Sequence, residues 1–288
     1  MKKYLYIFLV IVVSALTSWI TSPKSTSSNI ASPAKDIVYD RIMKTGTIRC
    51  GYMDYAPAFN TDPNTGEFYG IFYDVMNEIG ANLGLKVEWA VRTNWSEVFE
   101  GMETGKYDFL CSDLWMNPSR SKMGDFSTPV YFSGMGIYVR ADDNRFSGDW
   151  RTLMNNESIK FAAVEGEGTN DLIDGNFPKA SRFTLPKNAD STEPLVSVIS
   201  QKADAHIASD FYAAEFMAHN PGKIKKVANI NVFPDAMALP KGEYKLKRMI
   251  DNNIEFLHQT GFIEKVLQKH QKYPGSVLRV NSMHREDR

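Results

Sequence analysis

The segment LCSDLWMNPSR, residues 110–120, ends an apolar run on Ser112 and Asp113, adds Trp115 and closes on Arg120. An arginine fork matches a carboxylate with two parallel, charge-assisted hydrogen bonds. An acid beside it can take a cation, and an aromatic face attracts cations at about 0.5–2 kcal/mol each. A second apolar run, AHIASD, closes on Ser209 and Asp210. Tyr52 and Tyr55 follow a first strand-like run, GTIRCGYMDY, and Trp95 opens the stretch NWSEVFEGMETGK. Thr169 and Asn170 begin a helix after EGEG, where free backbone N–H groups favour an anion. Aromatics, one cation and two anions at strand ends suit a small zwitterion. Each residue also has a purely structural reading. Trp95 and Trp115 suit a core, Tyr55 a turn, Arg120 a surface, and Asp113 and Asp210 the caps of following helices.

Other chemistries find no support. G-x-S-x-G, H-E-x-x-H and C-x-x-C are absent, and the five histidines (His206, His219, His258, His270, His284) are scattered. No metal cage and no cofactor are expected. GEGTND starts like a dinucleotide loop, but Asp171 stands where the third glycine belongs, and Glu165, Glu167 and Asp171 repel phosphate. A formal net charge of −1 gives no electrostatic footprint for nucleic acid.

The elements that carry these residues alternate. VMNEIGANLGL places Val75, Met76, Ile79 and Leu83 on one helical face, with Gly84 as its stop. KVEWAV is a strand. Trp95, Val98, Phe99 and Met102 then mark a helix capped by Asn94, and YDFLCSD is the next strand. The second half repeats the pattern with IKFAAV and ADAHIAS as strands. Leu195, Val196 and Ile199 lie on one helical face between them, and two amphipathic helices close the chain. Strands separated by helices predict an α/β fold with a mostly parallel sheet covered on both faces. GKYDFLCSD and QKADAHIASD echo each other, which suggests two similar units. Ligands of open α/β sheets sit at the carboxyl ends of such strands.

The chain has 288 residues, 43% hydrophobic and 23% charged, an ordinary globular composition. Lys2 and Lys3 precede an uncharged run, Tyr4 to Ile20, and a Ser/Pro-rich spacer continues to Lys35. This reads as a cleaved secretory signal or as an uncleaved membrane anchor. Either places the rest outside the cytoplasm, touching the membrane only through that segment. Cys50 and Cys111 are then either a disulfide, which export permits, or two buried small hydrophobes.

GTIRCGYMDYAPAFNTDPNTGEFYGIFYDVMNEIGANLGLKVEW, GKYDF, NPSRSKMGDFSTPVY, AAVEGEGTNDLI and MALPKGEYKLKRMIDNNIEFLHQTGFIEKVLQKH occur in an order and spacing that resembles one family. It is that of the periplasmic substrate-binding proteins of polar amino-acid ABC transporters. The resemblance covers roughly residues 39–273. It implies a two-lobed type II periplasmic-binding-protein fold, with lobe 1 at about 36–132 and 236–280, lobe 2 at about 133–235, and hinge segments near 132–135 and 233–237. It implies a monomer that closes over its ligand and hands it to a permease. By the same resemblance Arg120 clamps the ligand carboxylate and Thr169 and Asn170 add N–H donors. Tyr55 and Trp95 pack on the ligand side chain, and Asp210 or Ser209 takes the ammonium. Trp115 and Asp113 replace small polar residues of the family pattern, and Tyr52 adds an aromatic. An additional cationic group on the ligand, near Asp113, is expected. Two alternatives stand: an enzyme like the dehydratases of cyclic hydroxy acids that share the fold, with Asp113, Glu165 or Glu167 as acid, and the input domain of a membrane sensor. The chain ends on NSMHREDR with no signalling module, so a sensor would need a separate partner.

Overall fold

The computed structural model describes residues 36–273 and 276–280; the N-terminal segment read as a signal or anchor lies outside the described residues. The chain runs α1 (Ile37–Thr45), β1 (Thr47–Tyr52), β2 (Asn60–Thr61), β3 (Phe68–Tyr69), α2 (Ile71–Leu83), β4 (Lys86–Arg92), α3 (Val98–Glu103) and β5 (Phe109–Trp115). It continues through β6 (Gly124–Phe126), β7 (Tyr131–Arg140), α4 (Trp150–Met154), β8 (Lys160–Val164), α5 (Thr169–Asn176), β9 (Ser181–Leu185), α6 (Glu193–Ile199) and β10 (Ala205–Ser209). It ends with α7 (Asp210–His219), β11 (Ile224–Pro240), α8 (Tyr244–Gln259), α9 (Phe262–His270) and β12 (Val277–Leu278).

The helices form where apolar periodicity demands burial. In α2, Val75, Met76 and Ile79 are fully buried, joined by Ile71 and Phe72. Gly84 ends the helix in the left-handed region at φ 64°, where a side chain would be strained. α3 is shorter than its pattern suggests. It begins at Val98, because Asn94 Oδ1 instead accepts from the Ser96 N–H in a local turn, which leaves Trp95 outside the helix.

The sheet is mixed rather than mostly parallel. Its order is β4-β1-β5-β11-β7-β10-β8-β9, with parallel pairs on both flanks. The antiparallel part comes from the two long strands at its centre: β11 pairs with β7 along both lengths and with β5, while β7 pairs with β10. Residues 131–134 and 232–235 sit opposite one another in that central pair, so both strands cross from one core to the other together.

Two cores lie on either side of the crossing. The larger draws on residues 42–131 and 236–277 and on Phe211 of α7, and includes Phe72, Ile79, Phe109, Leu110, Ile250 and Leu257. The other is built around Met135, Ile137, Phe161, Phe177 and Ile207. Each fully buried side chain of this size contributes about 1.5–3 kcal/mol. Tyr107 is wedged so tightly in the first core that a Cβ on Gly51 or Gly101 would run into its ring, and its hydroxyl donates to Val98 O at 2.7 Å. Cys50 and Cys111 are joined in a disulfide that ties β1 to β5, with Cα atoms 5.3 Å apart.

The echo between the halves has a structural basis. Asp108 and Asp204 precede β5 and β10, and each carboxylate accepts the N–H of a residue in the neighbouring strand. Arg49 N lies 2.6 Å from Asp108, and Lys160 N lies 2.8 Å from Asp204. Arg41 and Arg49 pair with the first carboxylate and Arg145 with the second.

Candidate functional site

A cleft of about 650 Å³ lies between the segments that flank β5 and the loop that leads into α5, lined by Trp95, Arg120, Glu167, Gly168 and Asn170 among others. That volume suits a small ligand. The lobes touch across it. Tyr55 OH lies 3.0 Å from Ser209 Oγ, and its ring stacks on Tyr212 with centroids 5.3 Å apart. Asn117 Nδ2 and Ser119 Oγ both donate to Asp171 Oδ2, and Lys187 reaches Glu97 at 3.2 Å.

Arg120 is 5% exposed, in the turn after β5. Its Nη1 donates to Trp115 O at 3.1 Å, which fixes the fork, while Nη2 is buried with no partner. Gly168 lies against the guanidinium: a Cβ there would come within 3.3 Å of Nη1. Burial lowers the arginine's pKa, and the fields of Glu167, Asp113 and Asp171 oppose that shift. Glu167, in the loop before α5, is pushed up by burial, with the Thr169 hydroxyl and Arg120 acting the other way.

Buried polar atoms are almost always satisfied, and an unpaired one costs about 1–3 kcal/mol. Among the described residues, seven buried side-chain polar atoms lack a partner. Five belong to residues at or beside this cleft: Arg120 Nη2 and Glu167 Oε2, which line it, and Asp113 Oδ1, Thr169 Oγ1 and Tyr212 OH, whose side chains neighbour that pair or Tyr55. The set comprises a cation, two acids and two hydroxyls.

The residues singled out in the sequence divide. Tyr55, Trp95, Arg120, Thr169, Asn170 and Ser209 come together, with Trp95 edge-on to Tyr55 at 5.7 Å. Asn170 spends its side-chain amide on Val164 O and Glu167 O, so it shapes the loop. Of the two ammonium candidates, Ser209 is the N-cap of α7 and its hydroxyl meets Tyr55 OH. Asp210, one residue into the helix, turns away and is held by Tyr138 OH at 2.9 Å and Lys226 Nζ at 2.6 Å. Asp113 lies within β5 rather than at a cap. Trp115 meets Arg120 through its backbone; its indole stacks on Phe233 and donates to Asp235 Oδ1 at 3.1 Å. Tyr52 does not join them. Its ring packs on Phe59, Phe68 and Trp89, because the loop after β1 turns at Met53 and sends the next aromatic, Tyr55, to the cleft instead.

Three residues were missed. Tyr212, Ser133 and Asp235 sit in segments whose apolar neighbours conceal them; only Asp235, a lone charge inside VFPDAMAL, left a signal. Among the described residues there is no cluster of metal-ligating side chains and no helix long and apolar enough to cross a membrane.

Removing the Tyr55 hydroxyl tests the lobe contact. Tyr55→Phe keeps the stack and loses the bond to Ser209, a loss of about 0.5–1.5 kcal/mol. Isothermal titration should show ligand affinity falling roughly two- to tenfold.

Comparison with known proteins places this geometry. The family model for bacterial extracellular solute-binding proteins, family 3, matches residues 48–273. A Haemophilus influenzae protein named "Probable amino-acid ABC transporter-binding protein" is 25% identical over 232 residues, which is 80% of this chain and 86% of the relative. A crystal structure of the ancestral amino acid-binding protein AncCDT-1, a precursor of cyclohexadienyl dehydratase, is 28% identical. It superposes with a TM-score of 0.70 over 81% of this chain and 98% of that one. A second structure of AncCDT-1, described as an ancestral cationic amino acid solute binding protein, is also 28% identical, with a TM-score of 0.60 over 81% and 99%.

Proposed function

Because the chain belongs to the bacterial extracellular solute-binding proteins, family 3, we propose that it captures a free amino acid with a cationic side chain outside the cytoplasm and delivers it to an ABC importer. The supporting observation is the set of unpartnered atoms at and beside the cleft. Arg120 Nη2 suits an α-carboxylate, with the Thr169 hydroxyl and the start of α5 beside it. Asp113 and Glu167 then suit two positive groups, the α-ammonium and a side-chain cation. Tyr55 and Trp95 would cover the aliphatic part of the ligand. The name of AncCDT-1 supports a cationic amino acid, and that of the Haemophilus protein an amino acid and an ABC transporter. In this reading the protein acts as a monomer, lobe 1 spans about 36–132 and 236–280, lobe 2 spans about 133–235, and residues 1–35 are a leader or anchor.

Calorimetry against L-arginine, L-lysine, L-ornithine, neutral amino acids, dicarboxylates and neutral sugars tests this. Micromolar or tighter binding confined to amino acids, tightest for the cationic ones, is expected. Binding only of dicarboxylates or sugars sinks the proposal.

One observation favours a second reading. The buried carboxyl of Glu167 holds its proton more firmly than an exposed glutamate, as a general acid must. Incubation with prephenate or arogenate separates the two, since turnover to an aromatic product would make the protein an enzyme.

A further inference from the structure

Behind Asp113 lies a group that the proposed capture function does not use. Asp235, 1% exposed, sits where β11 crosses between the cores, opposite Trp115 of β5 and Tyr131 of β7. Its carboxyl is within hydrogen-bonding reach of the Asp113 carboxyl, which is 3% exposed. The Trp115 indole N–H and the Ser133 hydroxyl donate to Asp235, at 3.1 Å and 2.6–2.8 Å. Asp113 Oδ1 has no partner. Two carboxyl groups present four oxygens, and these two donors leave the pair short of hydrogen.

We propose that Asp113 and Asp235, buried beside Arg120 of the cleft, form a cation subsite, one that takes the ligand's side-chain ammonium or guanidinium in exchange for a proton shared by the two carboxyls. This rests on the capture function above and adds the chemistry of one subsite to it. The exchange balances. The cation supplies N–H donors to both carboxyls, the pair ionises, and the proton leaves to solvent. A guanidinium, with five N–H donors in one plane, matches two adjacent acids better than a single proton does.

Like charges this close cannot both ionise readily in a buried site. Burial and the neighbouring acid raise Asp235 well above the usual carboxylate range, and burial raises Asp113 to about 7. The surrounding groups do not neutralise the pair. Arg120 faces Asp113 from the turn after β5 and favours its ionised form, but its free nitrogen is the carboxylate clamp. Tyr131 and Tyr55 face it from β7 and from the loop after β1, both held neutral by burial. From α7, Asp210 lies beside Gly134 and is already paired with Lys226 of β11.

The test is calorimetry of the full chain with L-arginine and with L-citrulline, its neutral counterpart, in buffers of different ionisation enthalpy near pH 6.5. Arginine should bind with release of at least one proton, and its affinity should rise with pH from about pH 5.5 through neutrality, by roughly tenfold per unit for each proton released. The ligand itself does not titrate there, so the slope belongs to the protein. Citrulline should bind at least about tenfold more weakly and release none. Asp235→Asn should weaken arginine binding and abolish both the proton release and the pH slope. Arginine binding that exceeds citrulline binding but shows no proton release and no pH slope overturns this inference and leaves the capture function standing, whereas equal affinity for citrulline overturns the cationic preference as well and leaves only amino-acid capture. Binding of neutral amino acids alone overturns this inference and the cationic preference of the capture reading, and leaves amino-acid capture itself. Failure of every amino acid to bind overturns both, and the wild-type measurement decides the matter even where the variant is unstable.

Discussion

Arg120→Ala lowers the affinity for an amino-acid ligand by roughly 30- to 1000-fold, equivalent to about 2–4 kcal/mol for truncating one partner of a buried charge pair. The size follows from where the side chain sits. Trp115 O holds one nitrogen of the fork and Gly168 lies against it, so the guanidinium is oriented before the ligand arrives and little rotamer entropy remains to be lost on binding. Its second nitrogen has no protein partner, so a ligand carboxylate gains a bond without breaking one. Alanine would also leave Asp113, Glu167 and Asp171 without the cation between them, which further disfavours an anionic group there. Arg120→Lys should recover only part of the affinity, since an ammonium cannot reproduce the fork. Calorimetry on both variants, with circular dichroism as the check on folding, reads the result.

Replacing Cys50 and Cys111 together by alanine should cost about 2–4 kcal/mol of stability and lower the melting temperature by roughly 5–15 °C. The bond joins residues 61 positions apart, and closing a loop of that length removes much of the freedom of the unfolded chain. Both cysteines are fully buried among apolar neighbours, so the double replacement also leaves a small loss of packing. Ligand affinity should change far less, within about threefold, because the site ends of the two strands have an independent tie, a hydrogen bond of 3.0 Å from Met53 N to Ser112 Oγ. Thermal melts of the variant beside the reduced wild-type protein give the comparison. A variant that melts with the wild type would mean that the bond constrains nothing the fold does not already fix.

The parts of this molecule that follow from periodicity were readable in the amino-acid sequence. Val75, Met76 and Ile79 on α2, and Ile250, Ile254 and Leu257 on α8, are buried as their spacing requires. The repeated Lys-x-Asp before an apolar strand corresponds to the matched aspartates, Asp108 and Asp204, that cap neighbouring strands. Long-range pairing was not readable. Nothing in NINVFPDAMALP states that it will run antiparallel to residues 131–140 through both cores, because strand partners are chosen by tertiary packing and not by local pattern. The site shows the same divide. Arg120 and Tyr55 stand in the cleft, whereas Tyr52 went into the aromatic cluster of lobe 1 and Asp210 found Lys226, partners contributed by distant segments. Asp235 stayed hidden because its meaning depends on Asp113, 122 residues earlier and brought onto the neighbouring strand only in the folded chain.

The most direct test of amino-acid capture by this cleft is a double-mutant cycle between protein and ligand. Affinities of the wild type and of Arg120→Ala would be measured by calorimetry for L-arginine and for L-argininamide, in which a neutral amide replaces the carboxylate. If Arg120 grips that carboxylate, the amide costs the wild type roughly 30-fold or more and costs the variant little, giving a coupling of about 2 kcal/mol. If both proteins lose affinity equally on amidation, the carboxylate is held elsewhere and the arrangement of the site argued above is wrong.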